Sequence, residues 1–306
     1  MPTPASHGHP MSQRRAYLLL GLGVFAIGWS ALFVRWAGTA GMVSAFYRLA
    51  IAAVVLTSWR AVSSPSHAPP TPDARRAAII AGIFFGIDLA FFNTAVMTTT
   101  AMDATLLGSN SPIFVALGTW LMYSERPSMR FWIGFLIAIV GVFSIVGADI
   151  LVHPSFGLGD FYAVAGAACY GVYLLYIQRS REGMDSLTFS IYATSIGALC
   201  VLPICFVTHQ QMVGFGATSW AALLGLAIVT QVGGHWLVAH SMGRLPATSS
   251  SIVLLGQAPM TAVLAWPLLG ERPRPGQILG GVLVLAGIMV VNMTRKEPEP
   301  TEPITP

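Results

Sequence analysis

The chain has 306 residues, 55% of them hydrophobic and only 9% charged, with a mean hydropathy of +0.69. A soluble domain carries about a quarter charged residues, and no long polar stretch separates the apolar runs here, so an integral membrane protein is indicated. The net charge of +4 is spread over short loops, which reads as an orientation signal and not as a nucleic-acid surface.

In chain order, residues 1–15 read as a disordered N-terminal tail rich in Pro, Ser and His that ends in Arg14 and Arg15. The apolar run from Ala16 to Val34 looks like a signal peptide but lacks a small-residue cleavage site, so an uncleaved first helix is expected. Ten spans are predicted, at 16–34, 40–59, 76–96, 101–123, 129–147, 158–178, 186–207, 217–241, 246–269 and 274–292. A flexible loop is expected between Arg60 and Arg75, and a Pro- and Glu-rich disordered tail over 293–306. The three cysteines, Cys169, Cys200 and Cys205, all lie within apolar runs, which argues against a disulfide framework or a zinc site.

The fourth and fifth spans carry a pattern that returns in the ninth and tenth. Asn110 and Pro112 are followed by Glu125-Arg126-Pro127, Gly134 and Gly141; Gln257 and Pro259 are followed by Glu271-Arg272-Pro273, Gly280 and Gly287. From each glutamate onward the spacing is identical, so the chain reads as a duplicated unit. The copies are 16–147 and 158–292. Five spans per copy is an odd number, so the second copy enters the bilayer upside down, as in many secondary transporters. With the N-terminus inside, twelve of the sixteen Lys and Arg residues face the cytoplasm, which places both termini there. Arg272 and Arg274 fall outside and run against that bias.

Two five-helix halves of this kind, together with Tyr47-Arg48-Leu49 and the Gly159-Asp160 opening of span six, resemble the EamA-type permeases of the drug/metabolite transporter superfamily. The resemblance covers residues 16 to 292. It implies a ten-helix exporter of small metabolites, often amino acids or related compounds, in the inner membrane, with a central cavity between the halves.

Within the bilayer an ionisable residue needs a partner or a wet cavity. Arg48 and Asp88 each lie about eight residues from the outer end of their spans, roughly 12 Å deep, so they sit at one level. They read either as a cavity-facing pair that meets a zwitterionic solute or as a structural ion pair, and proton coupling at Asp88 is a third option. Asn110 and Gln257 occupy equivalent places two residues before a proline, where interrupted spans point to a transport site; their amides either contact the solute or satisfy the freed backbone groups, and the cavity role is preferred. Pro112 and Pro259 are expected to kink their helices. Gln231 and His235 share a face of span eight; with no carboxylate or cysteine in that span, a polar lining is preferred to a metal site. Among Trp29, Phe91, Phe92, Tyr170 and Tyr173, Tyr170 is the aromatic candidate for a solute contact. Glu125 and Glu271 are expected to hold their own turns together with Arg126 and Arg272. Gly21-Leu22-Gly23 follows no strand and carries no P-loop lysine, so neither nucleotide nor any other cofactor is implied.

The expectation is a secondary transporter that binds a small-molecule substrate at Arg48, Asp88, Asn110, Tyr170, Gln231, His235 and Gln257. Its surroundings are the lipid bilayer, and assembly as a homodimer is allowed for. An enzyme is not expected: a rhomboid-like protease needs GxSxG, and the chain reads Leu107-Gly108-Ser109-Asn110-Ser111. A passive channel or lipid translocase stays open.

Overall fold

The computed structural model describes residues 13–63, 69–123, 129–150, 157–245, 250 and 253–292. The expected tails at 1–12 and 293–306 and the Glu125-Arg126-Pro127 turn lie outside the described residues. Every regular element within them is helical. The helices are α1 (Gln13–Gly28), α2 (Ser30–Ala37), α3 (Gly41–Val62), α4 (Pro72–Thr98), α5 (Ala101–Gly108), α6 (Ser111–Tyr123) and α7 (Met129–Ile150). After them come α8 (Leu158–Ser180), α9 (Ser186–Val207), α10 (Ala217–Gly225), a π-helical stretch at Leu226–His235 and α11 (Trp236–Met242). The described chain ends with α12 (Gln257–Leu269) and α13 (Pro275–Asn292).

Six helical segments are long and apolar enough to cross a bilayer: Arg14–Ala37, Gly41–Val62, Pro72–Thr98, Leu158–Ser180, Ser186–Val207 and Ala217–Met242. Leu18, Leu22, Phe25, Val54, Leu199 and Phe206 on these segments are more than half exposed, whereas Arg48, Asp88 and Asn93 are buried. A surface this apolar, over a core in which charged and amide side chains are buried, is that of a multi-pass membrane protein with lipid as its outer solvent.

Local chemistry fixes several helix starts. Thr71 Oγ1 accepts from Ala74 N at 3.3 Å, with Pro72 at the first helical position of α4. Asp185 Oδ1 accepts from Leu187 N and Thr188 N, both at 3.0 Å, at the start of α9. At the other end of a helix, Gly270 closes α12 at φ 70°, a left-handed conformation that a side chain would strain.

Glycines bring the helices into backbone contact. A Cβ on Gly141 would stand 2.7 Å from the Gly280 carbonyl oxygen, and one on Gly287 would stand 2.5 Å from that of Gly134. The early glycine of each helix thus meets the late glycine of the other, so α7 and α13 pack antiparallel. Gly86 meets Gly197 of α9 in the same way, with a Cβ 2.7 Å from its carbonyl oxygen. Beside it, Asp88 and Phe91 of α4 lie against Gly166 of α8.

Four places depart from regular α-helix: Trp29 between α1 and α2, Ser109–Asn110 between α5 and α6, the π-helical stretch, and Leu255–Gly256 before α12. Pro112 is the second residue of α6 and Pro259 the third of α12. Each therefore begins a helix after a break instead of bending a continuous one, because a first-turn N–H has no intrahelical partner to lose. A freed carbonyl at the first break, that of Gly28, accepts from Thr261 Oγ1 at 3.0 Å.

Candidate functional site

All four departures converge on one cavity of about 50 Å³. It is lined by Ile27 and Ser30 beside the first break, Gly108 and Ser109 at the second, His235 of the π-helical stretch and Gln257 at the start of α12. Arg48, Asp88, Leu89, Phe92, Thr105 and Tyr170 complete the wall. Irregular backbone at membrane depth is tolerated where it faces protein or a wet cavity. A water needs about 10–15 Å³ measured this way, so the cavity holds roughly four waters and is too small for an amino acid.

Arg48 is 1% exposed and organises one wall. Its Nε donates to Gln231 Oε1 at 2.9 Å, Nη1 donates to Ser30 Oγ at 2.9 Å, and Nη2 lies 3.2 Å from His235 Nδ1. One side chain thereby ties α2, α3 and the π-helical stretch together. The same His235 Nδ1 lies 2.9 Å from the Thr230 carbonyl oxygen. That nitrogen either carries a proton and donates to Thr230 or is bare and accepts from Arg48; it does not do both at once. Gln231 and His235, both in the π-helical stretch, meet one guanidinium.

Asp88 faces the cavity from α4 and is 7% exposed. It makes no ion pair with Arg48 within 4.0 Å and no hydrogen bond among the described residues. Of the readings the sequence offered, a structural ion pair within 4.0 Å is not formed, and both side chains line the cavity. Tyr170 is 8% exposed, and its buried hydroxyl also lacks a partner. Its ring meets His235 edge-on at 6.3 Å. Tyr173, its neighbour one turn on, stacks on Phe85 at 4.2 Å and belongs to the core.

Of the residues singled out in the sequence, Arg48, Asp88, Tyr170, His235 and Gln257 line the cavity. Gln231 stands behind Arg48. Asn110 turns away: its Nδ2 donates to the Leu107 carbonyl at 2.8 Å and so meets backbone freed at its own break. Ser30, Thr105 and Ser109 were missed. The first break carries no proline, and hydroxyls that bond a preceding turn, as Thr105 and Ser109 do, have no distinctive spacing.

Polar contacts close the bundle on both sides of the cavity. At one end Glu271 accepts from Ala101 N at 3.0 Å and Met102 N at 3.2 Å, and lies 3.5 Å from Arg35 Nη2, which also donates to the Thr99 carbonyl. Gln277 Nε2 reaches both Asp103 carboxylate oxygens at 2.7 Å. Glu271 therefore leaves its own turn to meet the electropositive N-terminus of α5. At the other end Arg60 pairs with Asp185 at 3.4 Å, and Ser186 Oγ lies 3.0 Å from His240 Nδ1. No cluster of three metal-ligating side chains occurs among the described residues.

Comparison with known proteins agrees with this geometry. The EamA-like transporter family matches residues 14–147 and again 157–293. An uncharacterized transporter of Archaeoglobus fulgidus is 26% identical over 80% of this chain and 85% of its own length. A protein of Streptantibioticus cattleyicolor named "Probable terminal-alkyne amino-acid exporter" is 26% identical over 63% of this chain and 64% of its own. The pseudopaline exporter of Pseudomonas aeruginosa is 24% identical over 71% of this chain and 75% of its own. A solved crystal structure, 17% identical, superposes with a TM-score of 0.64 over 92% of this chain and 98% of its own, a likeness of fold. Their family and their names are those of transporters, not enzymes. With both halves matched, the chain belongs to the EamA-like transporter family.

Proposed function

We propose that the protein is a secondary transporter that exports a small organic solute, such as an amino acid or a drug-like compound, by alternating access through the cavity around Arg48 and Asp88. The observation that carries this reading is the convergence of four backbone interruptions on one buried polar cavity. The broken pair α5–α6, α7, the segment ending in α12, and α13 supply four crossings beyond the six long ones, giving ten. Antiparallel packing of α7 on α13 through equivalent glycines supports two inverted five-helix halves, 16–147 and 158–292. Arg48, Asp88, Tyr170, His235 and Gln257 meet the solute, and Gln231 holds Arg48 in place. Asn110 acts one step back, bonding the backbone at the break before α6, and Pro112 and Pro259 act through the helices they begin. The polar plate at Glu271 and the pair Arg60–Asp185 are the closures that open in turn.

Outward direction rests on the two relatives named as exporters, and the inner membrane with both termini cytoplasmic rests on the distribution of Lys and Arg. Purified protein in liposomes, screened against amino acids, nucleosides and amphipathic drugs with and without a pH gradient, tests the reading. Saturable flux of at least one class is expected; flux that never saturates would reassign the protein as a channel.

A further inference from the structure

The cavity holds one cation and one anion, and they are unequally served. Each of the three nitrogens of Arg48 already has an acceptor or ring nitrogen within 3.2 Å, from Gln231, Ser30 and His235. Asp88, an acceptor-only group with room for several hydrogen bonds, has no donor among the described residues. The α8 backbone walls one side of it, since a Cβ on Gly166 would stand 3.2 Å from Asp88 Oδ1. A buried carboxylate without a donor is costly. Asp88 also lines the cavity, so a ligand there can supply the missing donor.

We propose, on the reading that this cavity is the transport site, that the solute carries a cationic amine and that Asp88 accepts it, with the Tyr170 hydroxyl as second contact. The hydroxyl can accept from an ammonium that also donates to Asp88, which satisfies both unpartnered groups with one ligand. The rings of Tyr170 and Phe92, both in the cavity wall, offer aromatic faces to the same charge. Arg48 keeps one uncommitted N–H on each terminal nitrogen and acts first as a positioning residue. A solute anion is therefore optional and an amine is required. This divides the zwitterion expected from the sequence into an obligatory half and a dispensable one.

The test uses three probes that share a phenyl ring and a two-carbon arm: phenethylamine, N-acetylphenethylamine and 3-phenylpropionate. Binding to detergent-purified full-length protein is read as the rise in unfolding midpoint with probe concentration. Phenethylamine should stabilise at concentrations about 10-fold lower than either analogue, which corresponds to one charge-assisted contact. Asp88→Asn should abolish the preference, and Tyr170→Phe should reduce it a few-fold. Equal action of the three probes, no effect of phenethylamine, or a preference intact in Asp88→Asn overturns the proposal. Equal action is also the result expected if Asp88 takes only a proton. The wild-type comparison needs no variant to fold. Because binding is measured apart from flux, an amine preference with no transport of any solute would refute the transporter reading and leave this one standing.

Discussion

Replacing Arg48 with alanine removes three contacts at once, to Gln231 and Ser30 at 2.9 Å and to His235 at 3.2 Å. Hydrogen bonds to a charged group are worth about 1.5–3 kcal/mol each, so the gross loss is roughly 5–9 kcal/mol. Against this stands the desolvation of a buried guanidinium, several kcal/mol that the variant no longer bears. Two of the released groups, Ser30 and His235, also border the cavity. The net destabilisation is therefore only about 2 kcal/mol, or about 3 °C in unfolding midpoint, and Arg48→Ala should reach the membrane in near-normal amount. Transport should suffer far more, because α2, α3 and the π-helical stretch lose the group that holds them in one arrangement. A loss equal to one charge-assisted contact lowers flux roughly 10-fold or more. The assay is initial flux into proteoliposomes divided by the amount of protein, with Arg48→Lys beside it. Lysine keeps the charge but has one nitrogen where the guanidinium has three, so it should restore folding and only part of the flux. Flux per molecule within about twofold of wild type would refute the reasoning, and so would loss of protein from the membrane with normal flux in what remains.

Further outcomes follow from other parts of the molecule. Gly287→Ala puts a methyl 2.5 Å from the Gly134 carbonyl oxygen, so α7 and α13 must separate; overpacking of this kind costs about 1–3 kcal/mol, read as a lower unfolding midpoint. Asp185→Ala removes both cap bonds of α9 and the Arg60 pair, and should cost about 1 kcal/mol, nearly all of it from the cap because a half-exposed ion pair adds little. Glu271→Ala uncaps α5 and frees Arg35, which loosens one closure. A cysteine at Ser109, in a background with Cys169, Cys200 and Cys205 replaced by alanine, should then react severalfold faster with a water-soluble maleimide. An unchanged rate would exclude the Glu271 plate as a closure.

The parts legible in the sequence were those that leave a mark in residue type. Proline two positions after an amide marked the breaks before α6 and α12, and the spacing of Gly134, Gly141, Gly280 and Gly287 marked the duplication, though not that the two glycine-bearing helices meet at their backbones. Arg48 and Asp88 were conspicuous because charge is rare in so apolar a chain. What stayed hidden depends on azimuth, and sequence periodicity fixes depth far better than it fixes which neighbour a side chain will face. Thus Arg48 and Asp88 came to one cavity without touching, and Asn110 turned back onto its own helix. The break at Trp29 carries no proline, and the freed carbonyl at Gly28 is met by Thr261, 233 residues away. The widened turns of Leu226–His235 carry no proline either.

A carrier's cavity opens to one side at a time, and counterflow measures that property directly. Liposomes containing the protein are loaded with an unlabelled solute found in the flux screen, then diluted into a trace of the same solute carrying a label. A carrier should accumulate the label transiently above its external concentration, because each outward turn of unlabelled solute returns a labelled one. A label that rises only to equilibrium, at a rate that does not saturate, would contradict alternating access and point to an open pore through the same helices.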